Sequence, residues 1–181
     1  MTHLIAHVAE IPLAIVFGSA GLATQLVWPL FRSRRTILGM QLGTVCAYAT
    51  SYALLGQATA TATCLTGALQ TALVLAFGNR PWMPRVGLVF LPVVLAIGVF
   101  TYAGLPTLFA VAASCLTMIG RLQRDALAMR RIQLSATPFG ALHDLVAAAW
   151  PALAGTLVTF AVGFAALRRE HRVRVGNAVA A

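Results

Sequence analysis

The chemistry open to this chain starts with a few polar side chains set into apolar surroundings. His143 and Asp144 are adjacent, and an imidazole beside a carboxylate at membrane depth can relay a proton or hold a polar ligand. The alternative is that their helix ends earlier and both sit among outer headgroups. Gln70 and Thr71 bring an amide and a hydroxyl to the middle of an apolar stretch, where they suit either a substrate cavity or hydrogen bonding between helices. Gln41 and Gln133 pose the same choice nearer the ends of their stretches. Tyr48 and Tyr52, one helical turn apart, either join that polar path or anchor at the outer interface. Pro29, Pro92 and Pro138 lack a backbone donor, so they are hinge candidates or static kinks in a packed bundle.

Catalysis has little to work with. His3, His7 and Glu10 share a helical face at a spacing able to ligate a metal, yet interfacial polarity is the simpler reading, and no metal is assigned. The carboxylates are Glu10, Asp125, Asp144 and Glu170, and no nucleotide-binding, nucleophile-elbow or zinc-protease motif occurs. No catalytic residue and no cofactor is expected, and the chain does not read as an enzyme. Cys46, Cys64 and Cys115 lie in apolar stretches without metal-binding spacing and read as small packing residues.

The elements that must position these groups follow from composition. Of 181 residues, 60% are hydrophobic and 9% charged, with mean hydropathy +0.86. A soluble domain carries roughly 25% charged residues, and apolar stretches here repeatedly reach the ~20 residues that cross a hydrocarbon core. The net charge of +9 does not indicate a nucleic-acid partner, because every basic residue is an arginine placed in one of four short clusters at the ends of apolar stretches. No charged segment precedes the first apolar run, so the first helix is expected to persist in the mature protein.

Seven spans are expected, at about Pro12–Leu30, Ile37–Leu55, Thr59–Phe77, Val86–Tyr102, Leu105–Ile119, Ile132–Ala149 and Ala152–Leu167. The sixth contains Gln133, Ser135, Thr137, Pro138, His143 and Asp144, and by hydropathy alone it could be a loop or re-entrant segment. The positive-inside rule favours a crossing: with seven spans all four arginine clusters share one face, and the opposite loops hold none. This predicts a polytopic membrane protein with an outside N-terminus and a cytoplasmic C-terminus.

Superimposing the chain on itself so that Leu30 falls on Leu122 also places Arg32 on Arg124, Gln41 on Gln133, Leu65 on Leu157 and Arg80 on Arg172. The basic loops and tight turns stay in phase. The expected fold is therefore an all-α integral membrane protein of two parallel three-helix repeats, residues 10–80 and 105–172, joined by a linker helix at 86–103 and followed by a tail at 173–181.

This layout resembles the three-plus-one-plus-three architecture of the SWEET and PQ-loop superfamily. Trp28, Pro29, Leu30, Phe31, Arg32, Ser33, Arg34 and Arg35 are similar to its proline-glutamine loop, with Leu30 in place of the glutamine and Arg121 at the proline position of the second half. A closer resemblance is to YgjV-type bacterial inner-membrane proteins, carried by Phe31 and Arg32, Gln41 and Leu42, Leu54, Leu55 and Gly56, Ala60, and the Gln70, Thr71 pair. That resemblance implies location and fold, and no activity.

Two functional readings follow. One is a small-solute transporter or facilitator with a polar path between its halves. The other is a non-transporting scaffold or subunit whose arginine clusters hold anionic lipid headgroups or a cytoplasmic partner. The expected partners are the bilayer, a small solute of unknown identity and another copy of the chain.

Overall fold

The computed structural model describes the backbone at residues 2–55, 58–146 and 150–179, and side chains at 12–55, 60–143, 145–146 and 153–172. Helix α1 spans Thr2–Val27 and ends in a 3-10 turn, Trp28–Leu30; α2 spans Arg34–Leu54, α3 Ala58–Phe77, α4 Met83–Leu88, α5 Phe90–Phe100, α6 Leu105–Leu122, α7 Ala126–Val146 and α8 Trp150–Val179. No strand occurs among the described residues. Among the described residues four stretches are long and apolar enough to cross a membrane: Pro12–Leu30, Ala60–Phe77, Met83–Phe100 and Leu105–Leu122.

Local chemistry explains the boundaries. Pro29 ends α1 in the 3-10 turn, with the Phe31 amide donating to the Trp28 carbonyl at 3.2 Å. Gly104 precedes α6 at φ 89 and ψ −154, a conformation essentially reserved for glycine, and Pro106 follows in the first turn where its missing donor costs nothing. Asp125 opens α7 by accepting the Ala128 amide at 2.9 Å, as an N-cap carboxylate should.

Several bounds differ from expectation. Helix α1 begins at Thr2, so Pro12 lies inside it, and α8 continues through Val179, well past the expected end at Leu167. The expected fourth span is broken at Val89, three residues before Pro92. That proline has no amide to bond the Leu88 carbonyl, so α4 ends and α5 starts anew with Pro92 in its first turn. Pro138 lies within α7. Of the turn expected at Gly56, Gln57 and Ala58, Ala58 instead begins α3 and the other two lie outside the described residues, as do residues 147–149.

Helix α2 packs between α1 and α3, and α7 between α6 and α8. The apolar core gathers at the end where the arginine clusters lie: Trp28, Ile37, Leu38, Val74, Met83 and Met129. Large apolar side chains elsewhere point outward, Phe100 being 87% exposed, as a lipid-facing surface requires. The interior is polar by comparison. Ser51 donates to the Ala14 carbonyl at 2.7 Å, and Thr44 to Thr24 at 2.8 Å, tying α2 to α1.

Gly39 and Gly43 form a GxxxG pair, a spacing that would serve close helix packing. A Cβ on either would meet nothing within 4 Å, because both are exposed and face away from the other helices. Close packing occurs at other glycines. A Cβ on Gly120 would lie 2.7 Å from Gln133 Cγ, and one on Gly21 would lie 2.9 Å from the Tyr48 ring.

Candidate functional site

Two cavities lie along the inner face of α6. The inner one, of about 280 Å³, is nearer the arginine-rich end and takes its wall from Gln25 and Trp28 of the first helix and its turn, Gln41, Thr44 and Tyr48 of α2, and residues of α6, α7 and α8. The outer one, of about 680 Å³, is lined by Tyr52, Thr63, Cys64, Thr107, Ser114 and His143 among mostly apolar neighbours from α5 and α6. Tyr48 and Tyr52 stack with centroids 6.2 Å apart, and each ring stands in a different cavity. The Tyr48 hydroxyl donates to Gln25 Oε1 at 2.7 Å, and the ring rests on Gly21.

Gln41 and Gln133 meet at the base of the inner cavity. Gln41 Nε2 donates to Gln133 Oε1 at 2.9 Å, and Gln133 Nε2 donates back to Gln41 Oε1 at 3.2 Å. Arg121 Nε adds a third bond, donating to the same Gln41 Oε1 at 3.3 Å, while its Nη1 reaches the Gly67 carbonyl at 3.4 Å. Arg121 is only 6% exposed.

Below this level the arginines bridge the helices through backbone carbonyls. Arg34 Nε donates to the Gln123 carbonyl at 2.6 Å and its Nη2 to the Arg121 carbonyl at 3.1 Å. In the opposite direction Arg130 donates to the Pro29 carbonyl and, at 2.6 Å, to that of Phe31. Glu170 lies 3.8 Å from Arg130 Nε. Burial pushes the Arg34 guanidinium below its ordinary value, with the charge of Arg124 adding to the shift; burial also lowers Arg130, and Glu170 opposes it.

The structure thus joins Gln41, Gln133 and Tyr48 in one cavity, and Tyr52 and His143 in the other. His143 Nδ1 contacts the Pro106 carbonyl at 2.9 Å; a carbonyl only accepts, so this contact requires the proton on Nδ1. Gln70 and Thr71 are fully buried but line neither cavity. Gln70 Nε2 donates to the Gly87 carbonyl at 3.2 Å, binding α3 to α4, and Thr71 donates to its own helix at Gly67, 2.6 Å away. The side chains of Asp144, His3, His7 and Glu10 lie outside the described residues. Of the three prolines, Pro29 is buried with its carbonyl held by Arg130; Pro92 and Pro138 line neither cavity.

The residues that sequence reasoning missed are Arg34, Arg121 and Arg130. Cluster membership alone does not separate these three from the exposed arginines. One signal was present: Arg121 directly follows the apolar run ending in Ile119 and Gly120, three residues before the exposed Arg124.

No curated protein and no solved structure matches the chain. A family model described as a bacterial inner membrane protein, Imp-YgjV, matches residues 13–174, a stretch that contains every residue lining the two cavities. By that match across most of its length, the chain belongs to the Imp-YgjV family of bacterial inner membrane proteins.

Proposed function

We propose that this protein is a small-solute transporter or facilitator whose path runs through the two cavities and is closed at the arginine-rich end. In this reading seven helical spans cross the membrane, with α4 and α5 together forming the fourth, the N-terminus outside and the arginine clusters in the cytoplasm. Residues 10–80 and 105–172 are two parallel repeats about an axis along the membrane normal.

The duplication is supported by helix bounds and by contacts. Gln41 and Gln133 are 92 residues apart, and α7 is offset from α2 by that same interval at both ends. Side chains on a two-fold axis meet their own counterparts, which is how the two glutamines pair. The capped carbonyls also match under that offset, Pro29 with Arg121 and Phe31 with Gln123, while Arg130 and Arg34, which cap them, are four residues out of register with it.

One observation carries the functional reading: the inner cavity is walled by helices from both ends of the chain, carries polar side chains among its apolar surface, and is crossed on one side by the Gln41–Gln133 amide pair. Rocking one half against the other would exchange the seal from one side to the other, the motion that alternating access requires. The work is translocation, with no bond-making chemistry. Uptake into sealed proteoliposomes across a panel of small polar solutes tests it, with Thr137→Phe as a plug of the inner cavity. Flux of at least one solute, lost in the plugged protein while it remains folded, is expected; no flux for any solute overturns it. The exposed positions of Arg32, Arg35, Arg80 and Arg85 favour a second reading, a scaffold holding anionic headgroups. That reading predicts liposome binding that depends on anionic lipid, without flux.

A further inference from the structure

We infer that the inner cavity is an anion site, and that Arg121 selects a small organic monoanion, carboxylate first, as the solute. This deepens the transport reading and rests on the cavity being open to solute.

The argument begins with a charge lacking a counter-charge. A guanidinium carries five N–H donors and is not deprotonated in proteins. Arg121 is nine-tenths buried, and the two bonds it makes, to Gln41 Oε1 and the Gly67 carbonyl, are 3.3 and 3.4 Å long. Charge-assisted bonds to a true counter-ion are about 2.7–2.9 Å. Gln41 Oε1 is also shared with Gln133. Among the described residues no carboxylate lies within ion-pair distance of Arg121, whereas Arg130 has Glu170. The C-terminal dipole of α6 supplies at most about half a negative charge. A desolvated cation left this way is costly, and a bound anion would relieve that cost.

The cavity beside that cation defines the ligand. Its described lining contains no acidic side chain, so a second cationic group, as in a zwitterion, would have no partner. Arg121 is the single cation in that lining, which matches one negative charge. The guanidinium fork suits a carboxylate in bidentate fashion. The remaining polar wall, including Thr44, Thr117, Gln133 and Thr137, offers neutral donors and acceptors suited to hydroxyl groups. At about 280 Å³ the space lies at the low end of ligand pockets, so the solute is small.

The test uses the purified full-length protein in detergent micelles, with lactate and glycerate as probes and lactamide and glyceramide as their neutral counterparts. Thermal stabilisation and isothermal titration are the readouts. The acids are expected to bind and raise the melting temperature while the amides do not, and Arg121→Gln is expected to weaken acid binding roughly tenfold or more, the factor that corresponds to losing one charged pair. Should Arg121→Gln fail to fold, Thr117→Val with Thr137→Val, which removes neutral partners only, should weaken glycerate more than lactate. Amides that bind as well as the acids, or a glutamine variant that binds acids undiminished, would overturn the anion assignment and leave the path itself standing. Absence of binding by all four probes overturns it too, and the uptake panel then judges the path separately.

Discussion

Replacing Gln41 by leucine should destabilise the protein more than replacing Gln133, and adding Gln133→Leu to Gln41→Leu should restore stability. The sign follows from counting orphaned groups. Gln133→Leu leaves one of them, Gln41 Nε2, because Gln41 Oε1 still accepts from Arg121. Gln41→Leu leaves three: both ends of the Gln133 amide and Arg121 Nε. The double variant leaves only the last. A buried polar group without a partner costs about 1–3 kcal/mol, and measured couplings between membrane helices average about 0.6 kcal/mol, so roughly 1 kcal/mol per orphan is a reasonable scale. The expected losses are then about 1 kcal/mol for Gln133→Leu, about 3 for Gln41→Leu and about 1 for the pair. Equilibrium denaturation by SDS in mixed micelles, followed by helical circular dichroism, measures all three. If Gln133→Leu costs the same in both backgrounds, the two amides do not bond and the seam between the halves is misplaced.

Glycine substitutions separate packed faces from open ones. Gly120→Ala forces a methyl to 2.7 Å from Gln133 and should cost about 1–3 kcal/mol, whereas Gly39→Ala meets nothing and should be neutral or stabilising by up to about 1 kcal/mol in the same denaturation assay. Replacing Arg34 and Arg130 together by methionine removes the carbonyl caps at the closed end. A cysteine at Thr137, in a background without Cys46, Cys64 and Cys115, should then be alkylated at least tenfold faster from the cytoplasmic side of inverted vesicles; unchanged reactivity argues against these arginines as a latch. Cysteines placed singly at Arg85 and Arg168 should react with an impermeant maleimide from the same compartment, and opposite reactivity would rule out the seven-span topology.

Hydropathy and charge placement were legible in the sequence because they follow from partition: lipid accepts long apolar helices and rejects guanidinium groups, whatever the helices touch. That reasoning reached the membrane and the all-helical build, while the family followed from the resemblance carried by Phe31, Arg32, Gln41, Leu42 and the Gln70, Thr71 pair. Aligning the chain on itself put Gln41 and Gln133 in register, and the structure brings their amides into contact.

What it could not supply is which way a side chain turns, because a one-dimensional pattern carries no register between helices distant in sequence. Gln70 suited either a cavity or a bond between helices, and the structure gives the bond, from its Nε2 to the Gly87 carbonyl of α4. Arg121 looked like one more arginine in a surface cluster, yet the helix geometry of α6 carries it inside, against Gln41 and Gly67. Only the packing of α2, α3, α6 and α7 around that position left a charge buried without a counter-ion among the described residues, and that geometric fact is what singles out the inner cavity.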